Sequence, residues 1–196
     1  MLATLTYYIQ TVYRWILRCG YCRGFGIQSP SAYSFVRYVI NEHYPYYSYR
    51  ELDEKMKGSS RRFRKIGRLL FRIANYWQPQ YGVLEDADFS PFISAGCNHT
   101  MIRMVDDYCF EDSSNSVLLV FDINKLEGDI ICEHILSSAT DKVLLVLIGI
   151  CASRQSKQLW KRIVEDGRTG VTYDLYYCGI VFFDKSKPKQ YFTINF

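Results

Sequence analysis

Three acidic residues stand where apolar runs of strand length stop. Tyr81-Gly-Val-Leu runs into Glu85, Met101-Ile-Arg-Met-Val into Asp106, and Ser116-Val-Leu-Leu-Val-Phe into Asp122. A carboxylate in such a place accepts hydrogen bonds or helps to hold a cation. Ahead of the later strands, a glycine-rich turn that cradles phosphate or ribose is expected. That place holds Glu85-Asp-Ala-Asp-Phe-Ser-Pro91 instead. No glycine follows Glu85 until Gly96, and Pro91 removes a backbone donor. Other reactive residues carry weaker signals. Cys19-Gly-Tyr-Cys22 is the one CxxC, with no second pair or histidine at zinc-ligand spacing. The seven cysteines read as reduced, mostly buried thiols of a cytoplasmic protein. His43, His99 and His134 are scattered, and none stands beside a plausible nucleophile in sequence. Gly24-Phe-Gly26 follows a helix rather than a strand, so it is no phosphate fingerprint.

The elements that must position these acids are legible from periodicity. Besides the three runs above, Lys142–Ile150 has the length and branching of a buried parallel strand. Val171–Tyr177, Gly179–Phe183 and Gln190–Phe196 follow as strand-like runs separated by turn signals. Strands alternating with helical stretches, then a closing group of strands, define an α/β pattern. Ser29-Pro30 predicts an N-cap and first turn, with Tyr33, Phe35, Val36, Val39 and Ile40 on the buried side. Arg61–Trp77 is the strongest helix. Ile66, Leu69, Leu70, Ile73 and Trp77 form its buried face, and Arg61, Arg64, Lys65, Arg68 and Arg72 a basic stripe read as a solvated outer face. Leu2, Leu5, Ile9, Val12 and Ile16 form an apolar stripe on an N-terminal helix, expected to dock on its own domain or on a second copy.

At 196 residues the chain suits one domain with an extension, and its net charge of +4 is too dispersed to argue for nucleic acid. The 17 tyrosines and 12 phenylalanines suggest half-buried seams with wet edges. No apolar run reaches the ~18 residues of a membrane span, and no small-residue cleavage site follows the N-terminal stretch.

Gly26-Ile-Gln-Ser-Pro-Ser-Ala-Tyr-Ser-Phe-Val, Tyr46-Tyr-Ser-Tyr with Glu51, and Gly67-Arg-Leu-Leu-Phe-Arg-Ile-Ala-Asn-Tyr-Trp-Gln-Pro79 carry a family resemblance. So do Ser153-Arg-Gln-Ser-Lys-Gln-Leu-Trp160, Val171-Thr-Tyr-Asp-Leu, Gly179-Ile-Val-Phe-Phe183 and Lys189-Gln-Tyr-Phe. Together these segments resemble a bacterial family of class I S-adenosylmethionine-dependent methyltransferase-like proteins, over most of the chain except about residues 86–116. The resemblance implies a first strand closed by a Leu-Glu-Ile-Gly-Thr-x-x-Gly pattern, in which Glu85 matches and the glycines do not. It places a ribose-binding acid at Asp106 or Asp107. It implies an acid after the fourth strand, matched by Asp122, and an acid pair after the fifth, where Ile148-Gly-Ile-Cys151 stands. Lys125 occupies a place where the family tends to have histidine. One acid cannot hold a divalent cation, so no metal site is expected. Asp86 to Ser116 spans 31 residues, where two strands and three helices need on the order of 60. About one strand–helix unit is missing.

The fold expected is therefore α/β: a Rossmann-like methyltransferase sheet, shortened in its first half, with an N-terminal helical extension and C-terminal antiparallel strands. Residues 1–79 form the extension, packed on the sheet domain of 80–196 as one compact unit. The function expected is that of a catalytically degenerate methyltransferase-like protein, a pseudoenzyme acting through a protein partner or self-association and carrying no cofactor. The alternative is an active methyltransferase whose unconventional S-adenosylmethionine site uses Glu85, Asp106 and Asp122. A third reading is a nucleic-acid binder through the basic helix, although no base-stacking module accompanies the stripe.

Overall fold

The computed structural model describes residues 9, 12–13, 15–21, 24–105, 115–125 and 128–196. Helix α1 (Pro30–Phe35) starts where Ser29 accepts the Ala32 N–H, and it continues through a π-helical turn, Val36–Ile40. Helix α2 (Ser48–Lys55) and the long α3 (Arg61–Trp77) follow. Ser60 caps α3 through the Phe63 N–H, and Gln78, in the left-handed region at φ 50°, ends it. Then come β1 (Tyr81–Leu84), α4 (Ser90–Gly96), β2 (Met101–Met104) and β3 (Val117–Asp122). Helix α5 (Gly128–Ser138), β4 (Val143–Ile148) and α6 (Arg154–Glu165) lead to β5 (Val171–Asp174), β6 (Cys178–Phe182) and β7 (Gln190–Thr193).

The seven strands form one sheet in the order β2-β1-β3-β4-β6-β5-β7. β2, β1, β3 and β4 are mutually parallel. β6 runs antiparallel to both of its neighbours, β4 and β5. β7 pairs parallel with β5. The reason is positional: β6 lies inside the sheet, so β5 offers the only free edge on that side. This is the mixed, Rossmann-like α/β sheet that the sequence predicts. Among the described residues, β2 alone flanks β1 on the shortened side.

Alternation along the strands separates two cores. Leu118, Val120, Leu144, Val146 and Ile180 face α1, α3 and α4, where Phe35, Leu69, Leu70, Ile73 and Phe92 are fully or almost fully buried. Val117, Leu119, Phe121, Leu145, Leu147 and Val181 face Ile135, Leu136, Trp160 and Ile163 of α5 and α6. The sheet is thus covered on both faces, which is why its central strands read as continuous apolar runs. Each fully buried Leu or Ile contributes roughly 1.5–3 kcal/mol. Close approach fixes α3 against α4. A Cβ on Gly67 would lie 2.5 Å from the Phe92 ring, and one on Gly96 would lie 2.2 Å from the Phe71 carbonyl oxygen.

Three expectations need correction. The basic stripe of α3 is not simply a solvated face. Arg72 is 7% exposed and donates to the carbonyls of Val39 and Ile40 and to the Tyr49 hydroxyl. The π-helical turn leaves those carbonyls open and the aromatic connector closes over them, so a guanidinium is drawn inward. The described part of the N-terminal stripe does not dock on its own domain, since Ile9, Val12 and Ile16 are each more than half exposed. What anchors that segment is polar: Arg18 pairs with Asp174 at 2.9 Å, and the Asn195 N–H donates to Tyr21 O. Tyr33 is exposed rather than buried, and so is Cys19, whereas Cys97 and Cys178 are buried as predicted.

Candidate functional site

β1 and β3 are neighbours, but β1 is flanked by β2 on one side and β3 by β4 on the other. The chain order therefore reverses between them, and open α/β sheets take their ligands outside the carboxyl ends of strands at such a point. A crevice of about 260 Å³ lies there. Glu85, Asp86 and Phe89 from the turn after β1, Asp122 at the end of β3, Lys125 in the turn after it, and Phe63 of α3 are among its lining residues.

Glu85 follows the last residue of β1, where its N–H still donates to Val120 O at 3.2 Å. Its Oε2 accepts the Asp122 backbone N–H at 2.7 Å, and its Oε1 stands 3.5 Å from Lys125 Nζ. Asp122 in turn directs Oδ1 to the Asn124 backbone N–H at 2.9 Å and to Asn124 Nδ2 at 2.7 Å. Gly149 permits this turn. Its φ is +82°, and a Cβ there would meet Asn124 Nδ2 at 2.6 Å and Asp122 Oδ1 at 3.2 Å. Residue 148, opposite Asp122 in the β3–β4 register, is an isoleucine, so β4 brings no second carboxylate.

The turn after β1 is built by its own side chains. Asp86 Oδ1 accepts the Asp88 N–H at 3.0 Å, and Ala87–Phe89 form one 3₁₀ turn that leads into α4, with Pro91 in its first turn. Phe89 is 4% exposed and stacks on Phe63 with centroids 4.4 Å apart. Phe63 lies on the same face of α3 as Ile66 and Leu70, so periodicity could have found it. Phe89 sits in a loop without periodicity, and no sequence signal marked it as a wall.

The structure brings Glu85 and Asp122 together. Asp106 and Asp107 lie outside the described residues. Among the described residues, no group of three or more His, Cys, Asp or Glu side chains is placed to hold a metal ion. Cys178 of β6 is fully buried, which pushes its thiol up to about 12, so it is no thiolate at neutral pH. Sequence reading also missed a neighbouring pair. His99 places its ring nitrogens 3.3 and 3.6 Å from Cys97 Sγ. That sulfur also lies 3.9 Å from Pro79 O, just before β1, so the pair is at the opposite end of the sheet from the crevice. Tyr173 is buried and stacked on Phe192 across the β5–β7 pair, as cross-strand packing.

No family model and no curated protein matches the chain. Among solved structures, a methyltransferase from Geobacter sulfurreducens aligns at TM-score 0.47 and 11% identity, over 69% of this chain and 86% of that one. Likeness at that level carries no weight here. The sheet's own order and the switch point carry the fold. Among the described residues, no helix is long and apolar enough to cross a membrane.

Proposed function

We propose that this chain is a methyltransferase-type fold whose cofactor position has been closed, and that it acts by binding rather than by methyl transfer. The observation that carries this reading is the internal satisfaction of the crevice. Glu85 spends one carboxylate oxygen on the Asp122 N–H and the other beside Lys125, while Asp122 is turned onto Asn124. A cofactor's hydroxyls would have to displace these bonds. The space of about 260 Å³ also falls short of the ~300–1,000 Å³ typical of small-molecule pockets. Side chains, rather than bare backbone, occupy the turn that should approach the cofactor, and the stacked Phe63 and Phe89 line the crevice. S-Adenosylmethionine does not fit this arrangement.

On this reading the chain works in the cytoplasm, with residues 1–79 and 80–196 acting as one unit. Its partner is a protein or a second copy, in line with the exposed Ile9, Val12, Ile16 and Leu17. A second reading keeps one observation in its favour: Glu85 and Asp122 do stand at the switch point, where ligands enter such sheets. It would make the chain a methyltransferase with an unconventional site, completed by Asp106. Calorimetry with S-adenosylmethionine and S-adenosylhomocysteine separates the two. No heat from either ligand on folded protein is the expected result. Saturable micromolar binding, lost in Glu85→Ala, would install the second reading.

A further inference from the structure

Helix α3 turns a different set of side chains into a larger cavity, of about 1020 Å³. Arg61, Arg64, Lys65 and Arg68 of α3 line it together with residues 40–46, Tyr49, Arg50, Asp53, Trp15 and Phe196. Arg50, Arg61, Arg64, Lys65, Arg68 and Arg72 line it against two carboxylates, Glu42 and Asp53. Some of this charge is committed. Arg72 serves the Val39 and Ile40 carbonyls, Arg68 pairs with Asp53, and Arg64 donates to Ser59 O at 2.8 Å. Arg61 has no ion-pair partner among the described residues, and Lys65 Nζ rests 4.3 Å over the Phe196 ring.

Two further observations point to an anion as the occupant. Asn41 Nδ2 and Arg68 Nε, both donors, are buried without a protein hydrogen-bond partner among the described residues, and both residues line this cavity. Buried polar groups are otherwise almost always paired. In addition, the first turn of α3 carries Arg61, Arg62 and Arg64 and no acid. Cations there oppose the helix dipole, which favours negative charge at that end. A local rule broken without visible compensation marks a functional place. Lys65 agrees with this picture. Its side chain is exposed, yet the protein mass around its ammonium lowers its pKa, and Arg61 and Arg72 add to the effect.

We propose that this cavity binds a phosphate-bearing ligand. Arg61, Arg64 and Lys65 hold the phosphate, and its organic portion lies against Tyr44, Tyr46 and Trp15. Guanidinium forks match phosphate oxygens in pairs, and a cavity lined mainly by one sign of charge concentrates such anions. Its volume exceeds what a bare phosphate needs and lies at the top of the ~300–1,000 Å³ range of ligand sites. The cationic side chains line a single cavity, which suits a compact ligand better than a polymer. The phosphate is that of a soluble monoester or of a lipid headgroup, since Trp15 continues into the exposed Ile16 and Leu17. The cavity shares no lining residue with the switch-point crevice, so failure of either binding reading leaves the other standing.

The test is calorimetry of the full chain with inorganic phosphate at low salt, beside the R61A/K65A variant. Both positions are helical and exposed, so alanine preserves the fold. Saturable binding weakened at least tenfold in R61A/K65A is expected. No heat, or equal affinity in the two proteins, would overturn the proposal. Sedimentation with phosphatidylcholine vesicles, with and without phosphatidic acid, identifies the source. Pull-down by the anionic vesicles alone, lost in R61A/K65A, supports a lipid headgroup. No pull-down, with free phosphate still bound, supports a soluble monoester. Pull-down by anionic vesicles that persists in R61A/K65A would count against the cavity.

Discussion

Viewed from helix α3, the crevice at the switch point and the cavity under Tyr44 satisfy their polar groups in opposite ways. In the crevice the acids answer to their own backbone: Glu85 to the Asp122 N–H, Asp122 to Asn124, and Asp86 to the Asp88 N–H. In the cavity, Asn41, Asp53 and Arg68 each keep a buried polar atom without a protein partner among the described residues. The crevice has the position of a ligand site and a volume of about 260 Å³. The cavity has room and unspent charge without the position that the fold would suggest.

The largest expected effect removes what both regions share. Phe92 is fully buried and fills the space that Gly67 leaves between α3 and α4. Phe92→Ala should cost about 3–5 kcal/mol in urea unfolding, and should loosen crevice and cavity together. Arg72→Met acts on one side. It leaves the Val39 and Ile40 carbonyls unanswered, so a loss of roughly 2–3 kcal/mol is expected. Phosphate binding should fall with it, while the crevice is untouched. A smaller loss would mean that those carbonyls find other donors.

Glu85→Ala probes the opposite side. The Asp122 N–H loses its acceptor, which should cost about 1–2 kcal/mol. The Lys125 contact adds little, because Lys125 is 61% exposed. Glu85→Gln keeps an acceptor and should cost less. Equal losses for the two variants would show that charge, and not the hydrogen bond, holds the crevice shut.

The smallest effect lies outside both regions and serves as a control. The Arg168 guanidinium holds the Asp166 carboxyl at about 2, below its ordinary value of 3.8. A depressed carboxylate stabilises the fold above its unfolded pKa. That contribution is lost as pH falls from about 4 through about 2. Asp166→Asn should flatten this acid limb slightly and leave stability at pH 7 little changed in slope, as acid titration of unfolding would show.

Much of this was written in the sequence. The α3 boundaries, its buried face and, to within one residue, the start of every strand follow from apolar periodicity, because a sheet covered on both faces demands continuous apolar runs. The pairing of Glu85 with Asp122 was half legible: both acids end adjacent strands, but that they are spent on the backbone depends on register and turn geometry. Arg72 was misread, because its place in a basic stripe hides the open carbonyls of the π-helical turn thirty-odd residues earlier. The Cys97–His99 contact escaped for a different reason. Two residues apart in a turn, they carry no periodic signal.

Amide hydrogen exchange, read once with S-adenosylhomocysteine and once with inorganic phosphate, tests the contrast between the two regions most directly. Phosphate should slow exchange across residues 41–53 and the first turns of α3, and S-adenosylhomocysteine should leave residues 84–90 and 120–125 unchanged. Slowed exchange at 84–90 with S-adenosylhomocysteine, and none at 41–53 with phosphate, would contradict the account on both sides.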